Sequence, residues 1–329
     1  MILNTAKVKE ITRGVAFTDE KDGYLHFNRF SKPQLKAYEV QTRSADFARK
    51  SLAASGVRFE FSTDSKTLTF AGKVWGGSSR NFFYFDVYVN DALCAHVGED
   101  KNGEYDVSYT IELGEGKKNV RVYFPWTAKV ALNKIEVDDG AFVEPAPKKP
   151  IMLCYGDSIT QGYDAIYPSY SYVSILADRM GVEAIDKAIG GERFCPDLLE
   201  EAEDLDPKYI TVAYGTNDWS KADRSVFEKT CKEFYERLSA LYPNAKIFAI
   251  TPIWREDHIR RQAENGCFFE ISEFIGKVCE KLDNVCVIEG YNLAPHLPEF
   301  YSDKYLHPND LGFMVYGNNL YEKIREQID

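Results

Sequence analysis

The stretch Cys154-Tyr155-Gly156-Asp157-Ser158-Ile159-Thr160-Gln161-Gly162 closes an apolar run that begins at Ile151. An apolar strand ending in Gly-Asp-Ser can set a serine hydroxyl at a strand-to-helix turn. There Gly156 allows close backbone approach, and the following helix points N–H groups at a developing anion. Outward from this stretch the pattern repeats: residues 151–155, 182–187, 209–213, 246–251 and 285–288 are strand candidates with helical segments between them. The clearest helix starts at Ser225, spaced to Glu228 as a capping box, and sets Phe227, Cys231, Phe234, Leu238 and Leu241 along one face before Pro243 stops it. Strands alternating with helices predict an α/β domain, a parallel sheet covered on both faces. Ligands of such open sheets sit beyond the carboxyl ends of the strands, and Ser158, Gly191 and Asn217 each follow such an end.

Residues 1 to about 140 read differently. Residues 57–61, 83–89 and 119–124 are rich in β-branched and aromatic side chains, and Gly76-Gly77-Ser78-Ser79, Asn90-Asp91 and Gly114-Glu115-Gly116 supply turns. Many short strands without amphipathic helices between them predict an all-β sandwich, with only residues 44–55 weakly helical. Pro145, Pro147 and Pro150 fall within six residues, which favours an extended, semi-rigid connection. The expected organisation is a β-sandwich domain over 1–142, a proline-rich linker over 143–150 and an α/β domain over 151–329.

The chain has 329 residues, 44% of them hydrophobic, enough for two cores. A formal charge of −11 argues against nucleic acid as a partner, because that affinity draws on clustered Lys and Arg. Arg255, Arg260 and Arg261 read as an ion-paired surface group. Residues 1–13 hold no apolar stretch of leader length, and nowhere do eighteen apolar residues run together, so no membrane association is expected. Seven cysteines without a CxxC pair fit a reducing compartment, and the cytoplasm is the expected location. Oligomeric state stays open.

A serine hydroxyl becomes a nucleophile when a base accepts its proton, and the tetrahedral intermediate it forms needs donors aimed at the new oxyanion. Ser158 is the candidate nucleophile; the competing reading is a helix N-cap. His307 is the candidate base, since imidazole titrates near neutrality, with Pro308-Asn309-Asp310 read as a turn into a helix capped by Asp310. His26 and His96 fall in the β region, and His258 and His296 lack an aspartate at useful spacing, so these four read as surface or core residues. Asp303 lies four positions before His307 and is the candidate acid. Taken alone, Gly190-Gly191 reads as a turn and Asn217-Asp218 as loop chemistry. Trp219 and Trp254 follow strand ends and are candidates for a sugar-binding platform, ahead of Tyr155 and Tyr163. No GxxxxGK[ST], HExxH or paired Cys-His spacing is present, so neither metal nor cofactor is expected.

In order along the chain, Gly156-Asp157-Ser158, Gly190-Gly191, Gly215-Thr216-Asn217-Asp218 and Asp303 with His307-Pro308 resemble the SGNH hydrolases, also called the GDSL esterase family. The resemblance implies a flavodoxin-like three-layer fold of five parallel strands, and an oxyanion hole built from the Ser158 N–H, the Gly191 N–H and the Asn217 amide. It also implies an acid three residues before the histidine, a place occupied here by Lys304. A β-sandwich ahead of such a domain, jelly-roll-like in strand pattern, is similar to carbohydrate esterase family two. Together these imply a serine esterase acting through an acyl-enzyme on a small acylated saccharide or other short-chain ester, with O-acetyl as the expected acyl group. The alternatives are a lipid or aryl esterase or lysophospholipase of the same superfamily, and a catalytically silent glycan-binding protein.

Overall fold

A computed structural model describes residues 1–201, 203–261, 263 and 265–328. Ile151–Gly156 carries Leu153 and Tyr155 to one face of a sheet and Met152 and Cys154 to the other, and both sets are buried. That run is apolar on both faces because the strand lies inside a sheet covered twice. Its neighbours are Glu183–Ala188 on one side and Pro207–Ala213 on the other, followed by Lys246–Ile250 and Val285–Ile288, all parallel. Helices Arg224–Leu241 and Phe268–Cys279 pack on the Leu153 face, and Tyr172–Met180 and Asp310–Ile328 pack on the Met152 face. The result is the flavodoxin-like three-layer α/β sandwich, with the order expected for an open doubly wound sheet.

The helix read from Ser225 begins one residue earlier, at Arg224, and its N-cap is Asp223. Ser225 therefore lies inside the helix, and no capping box forms. Phe227, Cys231, Phe234 and Leu238 are buried as expected, joined by Tyr235. At the last helix the cap is also displaced: Asn309 Oδ1 accepts the Gly312 N–H at 3.0 Å, while Asp310 Oδ1 accepts the Ile166 N–H at 2.9 Å.

The all-β part consists of two antiparallel sheets. Arg58–Thr63, Lys118–Tyr123, Phe83–Val89 and Ala92–Glu99 follow one another in the first, with Thr12–Arg13 and Val143–Pro145 on the free side of Arg58–Thr63. Phe17–Lys21, Tyr24–Asn28, Ala128–Val137, Thr67–Gly76 and Tyr105–Glu112 form the second. Phe59, Phe61, Phe85 and Val122 of the first share one core with Leu68, Phe70, Val74 and Val130 of the second. Val143–Pro145, the start of the stretch read as a linker, is a strand in this sandwich.

The chain packs into two units. One comprises Met1–Ser31, Ala48–Lys149 and Tyr167–Ser169; the other comprises Lys32–Phe47, Pro150–Ile166 and the chain from Tyr170 onward. Lys32–Phe47 thus belongs to the α/β unit although it lies within residues 1–142. It contains a helix, Lys32–Val40, where the sequence reads as β structure. That helix buries only Gln34 and Tyr38, and Gln34 is tied by polar contacts: its amide donates to the Leu198 carbonyl at 3.2 Å, and Lys187 Nζ donates to its Oε1 at 3.1 Å. All seven cysteines are free thiols. Among the described residues no helix is long and apolar enough to cross a membrane.

Candidate active site

Ser158 opens a short helix, Ser158–Gln161, directly after the first strand of the parallel sheet. Asp157 caps it, its Oδ1 accepting the Ile159 N–H at 2.9 Å, and Gly162 at φ 97° ends it. The cap belongs to Asp157, which leaves the Ser158 hydroxyl for other partners, and the Ser158 N–H at the first helical position has no intrahelical acceptor. Gly156 is required for packing: a Cβ there would lie 2.0 Å from Thr160 Oγ1.

His307 Nε2 stands 2.9 Å from Ser158 Oγ, and His307 Nδ1 stands 2.6 Å from Asp303 Oδ2. Asp303 Oδ1 meanwhile accepts the N–H groups of Tyr305, Leu306 and His307 at 3.1, 2.8 and 3.1 Å. The extra residue between acid and histidine is absorbed by Lys304, whose φ of 68° turns the chain through the left-handed region. The loop is closed by the Ser302 N–H on the His307 carbonyl at 2.9 Å and the Asn309 N–H on the Phe300 carbonyl at 2.9 Å. Burial opposes ionisation of Asp303, but the His307 ring and the three backbone donors outweigh it and hold the carboxyl well below the ordinary range. Two further residues neighbour His307: Asp164, which carries no sequence signal, and Tyr163, read from sequence only as a minor candidate for a sugar platform. Asp164 Oδ2 lies 3.9 Å from His307 Nδ1, and the Tyr163 ring centroid lies 5.7 Å from that of the imidazole.

The second strand delivers Gly190 and Gly191. The Gly190 N–H is committed to Gln161 Oε1 at 2.7 Å, whereas the Gly191 N–H makes no hydrogen bond among the described residues. Gly191 has φ 91°, a conformation glycine adopts without strain. The third strand delivers Asn217, whose Nδ2 donates to Asp157 Oδ2 at 3.2 Å and to the Glu192 carbonyl at 3.1 Å. Asn217 thereby ties the serine turn to the Gly191 loop. Behind it Arg255, only 2% exposed, donates to Thr216 Oγ1 at 2.9 Å and to the Thr216 carbonyl at 3.2 Å, and pairs with Asp257 at 2.6 Å. Arg255 is therefore a buried support of the Asn217 helix and not part of a surface group. Arg260 and Arg261 do pair at the surface, with Glu256 and Asp257.

Three buried carboxyls surround these loops. Burial pushes Asp157 up to about 6 and Asp218 up to about 7. It also raises Glu192, although the Arg43 guanidinium opposes that shift. Glu192 Oε1 accepts from Arg43 and, at 2.9 Å, from the Arg193 N–H.

The two tryptophans do not form the expected platform. Trp219 is 1% exposed, donates Nε1–H to the Gly266 carbonyl at 2.9 Å, packs edge-on against Phe268 and has Arg255 over its ring at 4.8 Å. Trp254 is 8% exposed and stacks on His296 with ring centroids 5.6 Å apart. Both rings are consumed by packing within their own unit. Tyr155 is wholly buried in the core. The remaining histidines lie elsewhere: His96 on Asp86 at 2.7 Å, His258 on Tyr291 at 3.1 Å, His296 on the Tyr291 carbonyl at 2.9 Å and His26 stacked on Trp75.

Chemically, the arrangement offers a hydroxyl hydrogen-bonded to an imidazole that is itself bonded to an ionised carboxylate, beside backbone donors with no other acceptor among the described residues. Residues 154–315 match the profile described as the GDSL-like Lipase/Acylhydrolase family. No curated protein sequence matches the chain. Among solved structures, the chain is similar to the salicylyl-acyltransferase SsfX3 from a tetracycline biosynthetic pathway, at 22% identity over 96% of this chain and 94% of that one, with a TM-score of 0.82. It is similar to a family two carbohydrate esterase from Cellvibrio japonicus, at 17% identity over 97% and 96% of the two chains, with a TM-score of 0.68. A family two carbohydrate esterase from Clostridium thermocellum, solved with cellohexaose, is 16% identical over 84% of this chain and 94% of that one, with a TM-score of 0.66.

Proposed function

Since its α/β domain belongs to the SGNH (GDSL) hydrolases, we propose that this protein is a serine esterase that removes short acyl groups, O-acetyl first among them, from carbohydrate esters. The observation that carries the reading is the continuous line from Asp303 through His307 to Ser158, at 2.6 and 2.9 Å. In the proposed reaction Ser158 Oγ attacks the ester carbonyl as His307 Nε2 takes its proton, and Asp303 stabilises the imidazolium that results. The oxyanion is received by the N–H groups of Ser158 and Gly191 and by one Asn217 amide hydrogen, released from Asp157. His307 then protonates the leaving alcohol, and a water activated by the same imidazole releases the acid from the acyl-enzyme.

A saccharide as the alcohol side is supported by the likeness to two family two carbohydrate esterases, which extends beyond the α/β domain in the Cellvibrio japonicus protein. Likeness to an acyltransferase over 96% of the chain favours a second reading, in which a hydroxyl acceptor replaces water in the last step.

The test is hydrolysis of p-nitrophenyl acetate, butyrate and octanoate and of acetylated xylo-oligosaccharides by the wild-type protein and by Ser158→Ala. Acetate and the oligosaccharides should be turned over by the wild type alone. Undiminished turnover in Ser158→Ala refutes the assignment, and rates that climb with chain length beyond butyrate favour a lipid esterase. Mass spectrometry of products formed with added sugar acceptors separates transfer from hydrolysis.

A further inference from the structure

We infer that Arg43 is a positioning residue for the oxyanion-binding loop, acting through Glu192; the inference rests on the esterase reading given above. Glu192 follows Gly191 directly, and its backbone carbonyl accepts the Asn217 amide at 3.1 Å. The two oxyanion donors proposed from outside the serine turn, the Gly191 N–H and the Asn217 amide, therefore meet at this one residue. Its N–H is bonded to the Ile189 carbonyl at 3.2 Å, closing the tight turn that contains Gly190 and Gly191.

What holds Glu192 is its side chain, which is entirely buried. Oε1 accepts from the Arg43 guanidinium and from the Arg193 N–H, and Oε2 has no hydrogen-bond partner among the described residues. Arg43 does more than neutralise. Its other terminal nitrogen donates to Cys195 Sγ at 2.9 Å, so the planar fork spans the loop from Glu192 to Cys195. Its carbon centre lies 5.5 Å from the Phe47 ring, and Phe47 Cε1 lies 3.7 Å from the point a Cβ on Gly191 would occupy. The Arg43–Phe47 segment is thus a wall against which the loop is set.

A buried carboxylate that loses its cation must take a proton or move toward water. Movement toward water displaces the Glu192 carbonyl, and with it the Asn217 amide and the Gly191 N–H, while protonation leaves the loop without the anchor that Arg43 gives at Glu192 and Cys195. Arg43 lies 149 positions before Glu192 and outside residues 154–315, so the family match does not account for it.

The experiment uses the full chain with Arg43→Gln, Arg43→Lys, Glu192→Gln and the Arg43→Gln/Glu192→Gln pair. Rates are expressed per active site titrated with a fluorophosphonate, alongside thermal melting and hydrogen exchange of the peptide spanning residues 188–194. Outright loss of an oxyanion donor costs about 10²- to 10³-fold in kcat. A displaced donor should cost less, so Arg43→Gln is expected to lower kcat by about 10- to 100-fold with little change in KM, and to speed exchange in residues 188–194. Arg43→Lys, which keeps the charge without the fork, should fall between, and the double variant, with neither charge, should recover most of the loss. If Arg43→Gln does not fold, the double variant and Arg43→Lys still decide. Unchanged kcat and exchange in the folded variants, or a loss that the double variant does not recover, overturns the inference. Should the wild type show no ester turnover while exchange follows this pattern, the esterase reading falls and the role of Arg43 in holding the loop stands.

Discussion

Replacing Asp303 by Asn tests whether this site works as a triad or as a Ser-His dyad. The carboxylate accepts four hydrogen bonds, one from the imidazole and three from the backbone. An amide keeps the shape but removes the charge. The relevant charge pair exists only after His307 has taken the serine proton, so its loss belongs to the transition state. With charge centres about 4 Å apart at an effective dielectric constant of about 20, the lost attraction is about 4 kcal/mol. That corresponds to about three orders of magnitude in rate. Asp164, at 3.9 Å from the same ring nitrogen, supplies residual negative charge and makes the loss smaller than in a site with one acid. The expected result for Asp303→Asn is a fall of about 10²- to 10³-fold in both kcat and kcat/KM for p-nitrophenyl acetate, with a further drop when Asp164→Asn is added. The Asp303 pKa is lowered by folding, so its contribution to stability is present above the unfolded value of about 3.9 and is lost as pH falls through the lower folded value. Asp303→Asn should therefore be less stable than wild type at pH 7, with the difference closing under strong acid. A rate loss below tenfold at an unchanged melting temperature would show that backbone contacts alone orient the imidazole, and the triad argument would be wrong.

Asn217→Ala should lower kcat by about 10² to 10³, corresponding to about 2.7 to 4 kcal/mol, with KM nearly constant; a change confined to KM in steady-state kinetics counts against its role as a donor. For Asp218→Asn the sign is opposite to that of Asp303. A folded pKa raised to about 7 means that stability is lost as pH rises from about 4 through 7. The variant should gain on wild type over that window by about 2 to 4 kcal/mol in urea titrations, and a difference independent of pH contradicts the shift. Trp219→Phe should lower stability by about 1 to 3 kcal/mol through the lost Gly266 hydrogen bond and packing, while leaving KM for acetylated xylo-oligosaccharides unchanged. A raised KM at full stability would restore Trp219 to the substrate site.

The parallel sheet was legible because its central strands are buried on both faces and so appear as largely apolar runs; all five begin and end within two residues of the stretches read from sequence. Ser158, Gly191, Asn217 and His307 follow strand ends or a closed loop, where local spacing determines position. Depth is a different matter. Trp219 and Trp254 have the same sequence context as exposed aromatics, and only the packing of Phe268 and His296 against them shows that they are covered. The register of Asp303 looks one residue too long until Lys304 is seen at φ 68°, a conformation that lysine composition does not announce. The helix Lys32–Val40 escaped because half of what it buries is polar, namely Gln34, so no apolar stripe marks it. Arg43 and Arg255 reach the site through a few long-range contacts each, and such contacts leave no periodic trace along the chain.

An electrostatic difficulty in the site resolves along the same lines. The hollow proposed to receive the oxyanion is backed by Asp157, Glu192 and Asp218, and three full negative charges there would cancel the benefit of the donors in front. Burial answers part of this, since it raises Asp218 to about 7 and so removes about half of its charge at neutral pH, and raises Asp157 to about 6, where its charge falls only as pH drops toward that value. Arg43 answers the rest by pairing with Glu192. What the loops use from these groups is mostly acceptor oxygen: Asp157 takes the Ile159 N–H and the Asn217 amide, and Asp218 takes the Phe194 N–H at 3.3 Å. Asp303 is treated in the opposite way, with three backbone donors and the imidazole holding it ionised on the far side of His307. Negative charge is thus kept where the proposed reaction forms a cation and opposed where it forms an anion, a division set by whether donors outweigh desolvation, as at Asp303, or desolvation outweighs the donors, as at Asp157 and Asp218.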